Sequence, residues 1–325
     1  MRAVIPVAGV GSRLRPHTFE IPKVLLNVAG KPILAHILDS IRNAGVTRAT
    51  IVVGHMGEKI REFVTSTYPD LPVDFVEQEE PQGLGHAIYL SRNTMEGEPV
   101  LIILGDTIFD VDLTPVLGGA VSSLGVKHVD DPRRFGVAEM ENGFITRLVE
   151  KPEHPTSTLA VVGLYYIVNT PLLVSSLNEL VEKDIRTKNE YQLTDALQLM
   201  IRKGEQMTTF PVDGWFDCGK PETLLSTNQA LLERRSSYRK LEGVVINEPV
   251  YVAPTAALER CVIGPHTTVG DRAEIHDAVI RNSIIGEDAK VHRALLEDSI
   301  IGNASVVRGA YKRLNVGGSS EISFY

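Results

Sequence analysis

The chain has 325 residues, of which 43% are hydrophobic, with 33 lysines and arginines against 41 aspartates and glutamates and a net charge of −8. That length and hydrophobic content provide for two domains with filled cores and exclude a disordered chain. The acidic balance, without any run of Lys or Arg, excludes a nucleic acid polymer as partner, and two cysteines, Cys218 and Cys261, make neither a disulfide framework nor a zinc pattern.

Ala3–Val7 is a short apolar run that reads as a buried strand, and the N-terminus lacks the charged-then-apolar layout of a leader. Gly9, Gly11 and Ser12 follow, letting the backbone bend and bring N–H groups close to a ligand. Arg13 and then Lys23 add positive charge, so the segment is a place to hold phosphate. It is not a Walker loop, because no Gly-Lys-Ser/Thr ends it, and Leu14 stands where a dinucleotide fingerprint needs its third glycine. A glycine turn with two solvated cations has the same spacing.

Ile33, Leu34, Ile37, Leu38 and Ile41 recur at helical spacing, and Gly45 ends the pattern. A strand at Ala49–Val53, a helix at Glu58–Tyr68, a strand at Val73–Val76, a helix at Leu84–Ser91 and a strand at Val100–Leu104 come next. Such alternation predicts an α/β fold with a parallel sheet covered on both faces. Ligands then gather beyond the carboxyl ends of the strands. Gly9–Arg13, Glu77–Gly83 and Gly105–Asp106 fall at that rim.

From Gly125 the pattern is β-rich, with strands at Gly125–Val129, Gly136–Met140, Phe144–Glu150 and Ala160–Ile167. The longest apolar stretch, Leu159–Val168, is half a membrane span and contains Gly163, so a soluble, cytoplasmic protein that engages no membrane is expected. Helices return at Pro171–Val181 and Gln192–Arg202, a strand at Met207–Val212 leads to Trp215-Phe216-Asp217, and Pro221 opens a helix to about Arg234.

Beyond Gly243 the chain repeats. Ala278–Gly286 matches Ala294–Gly302 at a step of sixteen, and apolar residues fall six apart at Ile263, Val269 and Ile275. This rhythm predicts a left-handed parallel β-helix, a fold that commonly packs against copies of itself. The expected domains are 1–240 and 241–325.

Asp106 closes Ile-Leu-Gly-Asp after a fully apolar strand, and Asp217 lies in Trp-Phe-Asp-Cys-Gly after another. Two such carboxylates suit Mg²⁺, which takes one or two carboxylates, phosphate oxygens and water; capping a turn is the plainer role. Glu150 and Lys151 end a strand before Pro152, where the first can accept from hydroxyls and the second can meet a phosphate, although an exposed pair has the same pattern. Gln78, with Gly83 beyond it, can read the edge of a base. No histidine has a serine or cysteine partner at motif spacing, so no nucleophilic catalysis is assigned. His276 and His292, sixteen apart, are expected to stack on the surface of the β-helix.

The segments Gly-Val-Gly-Ser-Arg-Leu-Arg-Pro-His-Thr, Pro-Lys-Val-Leu-Leu, Gln-Gly-Leu-Gly-His-Ala, Leu-Gly-Asp, Glu-Lys-Pro and Trp-Phe-Asp-Cys-Gly occur in the order seen in sugar-1-phosphate nucleotidyltransferases. Residues 1 to about 235 resemble that family, most closely its glucose-1-phosphate thymidylyltransferase and uridylyltransferase branch, and the tail resembles the left-handed helix many members append. The resemblance implies a Rossmann-like, mixed and mainly parallel sheet and Mg²⁺-dependent transfer from dTTP or UTP to a sugar-1-phosphate. Ala8, Gly9, Gly11, Ser12 and Arg13 would cradle the nucleotide's phosphates, and Gln78 and Gly83 would read the base. Lys23 would reach the sugar phosphate, with Lys151 as a further working cation. Asp106 and Asp217 would hold the metal, and Gly136, Glu150, Gly163, Tyr165 and Lys188 would line the sugar site. A homo-oligomer through the β-helix is also expected.

Departures touch selectivity. Val24 stands where short thymidylyltransferases usually carry glutamine, and Asn27 replaces a usual proline. The competing functions are guanylyl transfer to mannose-1-phosphate, a nucleotide-sugar-sensing subunit without catalysis, and an acyltransferase built on the β-helix.

Overall fold

The computed structural model describes residues 1–309, so the part of the expected β-helix beyond 309 lies outside the described residues. In chain order the α/β elements are β1 (Arg2–Pro6), α1 (Ile33–Asn43), β2 (Arg48–Val53), α2 (Gly57–Thr67), β3 (Val73–Glu77), α3 (Leu84–Leu90), β4 (Val100–Ile103) and β5 (Thr107–Asp110). They continue as β6 (Ser122–His128), β7 (Gly136–Glu141), β8 (Phe144–Glu150), β9 (Leu159–Ile167), α4 (Thr170–Glu182), α5 (Leu193–Arg202), β10 (Met207–Pro211), β11 (Gly214–Asp217) and α6 (Pro221–Arg234).

Ala3, Val4 and Ile5 are fully buried because β1 sits in the middle of a parallel set, between β2 and β4, with β3 outside β2. A strand covered on both faces can be apolar throughout. Since these four strands run the same way, their carboxyl ends share one rim, and the loops after Pro6, Glu77 and Ile103 emerge together. The sheet is mixed. β9 joins β4 antiparallel, then pairs with β7 and β6; β8 runs antiparallel to β7, and β10 runs parallel to β6.

Helix α1 buries Ile33, Leu34, Ile37, Leu38 and Ile41. It stops where Gly45 takes φ +83° and the Val46 N–H returns to the Ile41 carbonyl at 3.0 Å, a Schellman closure. Leu173, Leu177 and Leu180 of α4 and Leu193, Ala196, Leu197 and Met200 of α5 pack with β-strand residues in a common core. The register between β9 and β6 slips between Val161 and Tyr165, with Gly163 inside at φ +93°. A Cβ there would come within 2.6 Å of the Leu104 side chain, so only glycine lets the bulge form beside Leu104.

Among the described residues the tail forms three parallel ladders of four strands each, the arrangement of a parallel β-helix. The step between coils is 17 residues at Val245 to Val262 and 16 at Ile284 to Ile300. Ile263 and Ile280, Val269 and Ile285, and Ile275 and Val291 stack as inward columns of almost wholly buried side chains. Corners are turned by residues in the left-handed region, among them His266, Arg272, Asp277, Asn282 and Asp288. His276 and His292 stack as expected, with ring centroids 5.1 Å apart and planes 3° from parallel.

By its contacts the chain falls into two units, Met1–Leu26 with Lys31–Leu224, and Asn27–Gly30 with the chain from Leu225 onward. No helix among the described residues is long and apolar enough to cross a membrane.

Candidate active site

The site is built where β1 runs out. The Val7 N–H still donates to the Val52 carbonyl at 2.8 Å, after which the chain leaves the sheet. Gly11 takes φ +63°, and its carbonyl accepts from the Leu14 N–H and the Thr18 hydroxyl, both at 2.9 Å. Leu14 is fully buried. The residue that spoils a dinucleotide fingerprint is therefore the anchor that pulls a short 3₁₀ turn, Ser12–Leu14, against the core, while Ser12 and Arg13 stay exposed.

Lys23 is almost wholly enclosed, and its Nζ lies 2.8 Å from Asp106 Oδ2. Asp106 Oδ1 also accepts from the Thr107 hydroxyl at 3.2 Å. Partial burial pushes the Asp106 carboxyl up, but Lys23, Thr107 and Arg13 together outweigh that and hold it below the ordinary aspartate range. It is an anion at neutral pH.

Asp217 reaches the same region through a short ladder. β11 pairs antiparallel with β5, setting Asp217 opposite Thr107, and the Cys218 N–H donates to the Asp106 carbonyl at 3.0 Å. Asp217 Oδ1 accepts from the Gly219 N–H at 2.9 Å. A Cβ on Gly219 would stand 3.0 Å from Arg13 Nη2 and 2.8 Å from Asp217 Oδ1, so the guanidinium and the second carboxylate meet over this glycine.

A cavity of about 540 Å³ opens between these elements. Ala8, Gly9, Gly11, Ser12, Arg13, Lys23, Gln78, Gly83 and Asp106, nine of the residues singled out in the sequence, line it together. Asp217 does not line it, although Gly219 does. Among the described residues no group of three or more His, Cys, Asp or Glu side chains could hold a metal by itself. Two carboxylates in adjacent registers nevertheless fit Mg²⁺, an ion that draws its remaining ligands from phosphate and water.

The residues expected around a sugar lie elsewhere, outside this lining. Gly136 faces Glu150 across the β7–β8 ladder. Glu150 accepts from the Thr194 hydroxyl at 2.7 Å and pairs with Lys151 Nζ at 3.2 Å. Lys151 has φ +44° and donates its N–H to Phe135. Gly163 receives the Leu104 N–H at 3.0 Å, and Leu104 does line the cavity. Tyr165 is 5% exposed within the core, its phenol pushed up first by burial and then by Glu150. Lys188 stands in an exposed turn, 3.6 Å from Glu153.

Among the other lining residues, Gly219 ends the Trp-Phe-Asp-Cys-Gly segment, whereas Glu190 was singled out by nothing in the sequence. Glu190 arrives because Gly83 has φ +105° and a Cβ there would sit 2.6 Å from the Tyr191 carbonyl. With Gly85 N–H donating to Tyr191 at 2.7 Å and Tyr191 N–H to Gln82 at 2.9 Å, the segment before α5 is laid against the loop before α3. The only hint in the sequence is the paired glycines of Gln-Gly-Leu-Gly.

Residues 2–234 match the model of the nucleotidyl transferase family. The chain is 35% identical over 242 residues to the UTP–glucose-1-phosphate uridylyltransferase of Haloferax volcanii, covering 72% of this chain and 97% of that one. It is 29% identical over 322 residues to the glucose-1-phosphate thymidylyltransferase of Streptomyces antibioticus, covering 87% and 86%. Among solved structures, a UDP-glucose pyrophosphorylase complexed with UDP-glucose superposes with a TM-score of 0.63 at 25% identity, covering 72% of this chain and 99% of that one.

Proposed function

Because the chain belongs to the nucleotidyl transferase family and is a sugar-1-phosphate nucleotidyltransferase, we propose that it joins dTTP or UTP to glucose-1-phosphate, giving an NDP-sugar and pyrophosphate. The observation that carries this reading is the convergence of the glycine loop, Arg13, Lys23 and Asp106 on one cavity. The uridylyl and thymidylyl names of the two relatives support the choice of base and sugar.

A sugar-phosphate oxygen attacks the α-phosphorus, the bond from that phosphorus to the β-phosphate's bridging oxygen breaks, and pyrophosphate leaves. The nucleophile needs no general base, since a phosphate monoester with a second pKa near ~6 is largely dianionic at neutral pH. What the protein must supply is alignment and charge neutralisation. Arg13 and the N–H groups of the glycine loop take the triphosphate; Lys23, already buried and fixed by Asp106, meets the incoming phosphate without first being ordered. Asp106 and Asp217 would hold Mg²⁺, which when bound polarises phosphate oxygens and orients the nucleotide. We assign Gly136, Glu150, Lys151, Gly163, Tyr165 and Lys188 to the sugar side, catalysis to residues 1–240 and homo-oligomerisation to residues 241–325.

The test is a pyrophosphate-release screen of the four common triphosphates against glucose-, mannose-, galactose- and N-acetylglucosamine-1-phosphate, with and without EDTA. UTP or dTTP with glucose-1-phosphate is expected to turn over fastest, and EDTA to abolish it. Pyrophosphate from no pair would end the reading.

A further inference from the structure

Gln78 is 6% exposed and lines the cavity. Its backbone N–H is taken up by the Val53 carbonyl at 2.8 Å, which leaves the side-chain amide to meet a ligand. The amide nitrogen donates to the Gly83 carbonyl at 3.2 Å and lies 3.1 Å from His86 Nδ1. A carbonyl oxygen can only accept, so the atom facing Gly83 must be the NH₂ group. The same NH₂ then requires His86 Nδ1 to be a bare acceptor, which places the imidazole proton on Nε2. Both amide hydrogens are consumed. Oε1 meets no protein donor among the described residues and is not sealed from solvent.

The surroundings keep His86 in that state. Its ring lies 6.3 Å from Tyr89 and 6.2 Å from Tyr191, near-parallel to the first. Arg186 stacks on Tyr191 at 4.0 Å and donates to its hydroxyl. Burial and the Arg186 charge hold the imidazole below the ordinary histidine range, opposed only by Glu80.

We infer that His86 is a positioning residue that locks the Gln78 amide with its oxygen outward, so that the cavity accepts a pyrimidine carrying an imide N–H, uracil or thymine, and rejects cytosine. The N3–H of uracil or thymine donates to Oε1; the N3 lone pair of cytosine would face it unpaired and repelled. A site with a fixed, partly buried polar group discriminates strongly against a ligand that leaves the group unmatched, by roughly 10- to 100-fold. Without His86 the NH₂ keeps only the Gly83 carbonyl at 3.2 Å, so the amide is held by one anchor instead of two and its orientation loosens. This inference rests on the cavity being the nucleotide site of the reaction proposed above.

The test is calorimetric binding of UTP, dTTP and CTP to the full chain, which reads base selection without turnover, alongside kcat and KM from pyrophosphate release. Wild type is expected to bind UTP and dTTP at least about tenfold more tightly than CTP. His86→Leu, which leaves the Gly83 anchor alone, should reduce that ratio at least about threefold, raising KM for UTP with kcat little changed. His86→Asn, whose side-chain oxygen stands at the reach of Nδ1, should restore it. Equal binding of CTP and UTP by wild type, an unchanged ratio in His86→Leu, or a ratio in His86→Asn no better than in His86→Leu would each overturn the inference. Base selection that follows His86 without pyrophosphate release from any pair would sink the reaction reading instead. Release with selection indifferent to His86 sinks only the inference.

Discussion

Two lysine–carboxylate pairs of almost equal length sit in opposite settings. Lys23 and Asp106 are 2.8 Å apart with the lysine side chain 9% exposed; Lys290 and Glu274, on an outer ladder of the β-helix, are 2.9 Å apart with the side chains 45% and 41% exposed. Distance says nothing about the difference. A buried cation is costly unless matched, and Asp106 supplies that match for Lys23 beside the cavity, where the proposed reaction would turn it on a phosphate. The outer pair is solvated, screened by salt and weak. In the α/β unit charge is gathered by irregular loops at a rim; in the β-helix it decorates a stack whose stability comes from the aliphatic columns within.

That contrast is broken most directly by removing each pair. Lys23→Ala and Asp106→Asn should each lower turnover by on the order of 10²-fold or more, about 3 kcal/mol of transition-state stabilisation, measured by pyrophosphate release. Near-normal rates in both would mean that the buried pair is structural. The counterpart in the tail is Ile280→Ala in the column with Ile263, where a cavity should cost about 2–5 kcal/mol in denaturant unfolding while kcat of the folded enzyme persists. A loss of kcat equal to that of Lys23→Ala would erase the division of labour.

A smaller effect sharpens the boundary within the first unit. Thr194→Val removes the donor to Glu150 and should cost about 1 kcal/mol of stability. It should raise KM for the sugar-1-phosphate several-fold with KM for UTP unchanged; an equal rise in both would place Glu150 on the nucleotide side. Smaller again is the acid response of Asp39. Partial burial raises this carboxyl, but hydrogen bonds from Lys31 and Tyr68 outweigh it and leave it below the ordinary value. A folded pKa below the unfolded one contributes stability above the unfolded value, about pH 4, that is lost as pH falls through the folded value. Asp39→Asn should therefore lose less stability than wild type between about pH 5 and about pH 3; parallel losses in urea melts would dismiss the pair. Least of all, Lys290→Ala should produce no resolvable change in melting or turnover.

Much of the architecture was legible because it is written locally. The 3.6-residue period of Ile33–Ile41, the solid apolar run Val100–Leu104 and the repeated Ser-Ile-Ile-Gly of the tail depend on neighbours a few residues away, and each appears as expected, within a residue or two at the ends. Gly9, Gly11, Ser12, Arg13 and Lys23 were also readable as a group, and they line one cavity; phosphate as their ligand belongs to the proposed function. The place of Glu190 was not readable. It is set by Gly83 and Gly85, which let the Tyr191 backbone lie against a loop roughly a hundred positions earlier, a contact at which only the paired glycines hint.

What the sequence determined by itself was the set of parts: strands and helices from hydrophobic period, turns from glycine, and candidate ligands from charge placed after apolar runs. Tertiary structure decided which of those parts share a cavity. The order β3–β2–β1–β4 brings Gln78, Arg13 and Asp106 to one rim, and the β5–β11 register adds Asp217 beside Asp106. The physical reason is range: hydrophobic periodicity and backbone preference act between near neighbours, whereas the pairing of a lysine at 23 with an aspartate at 106 is won only when a whole sheet closes around them.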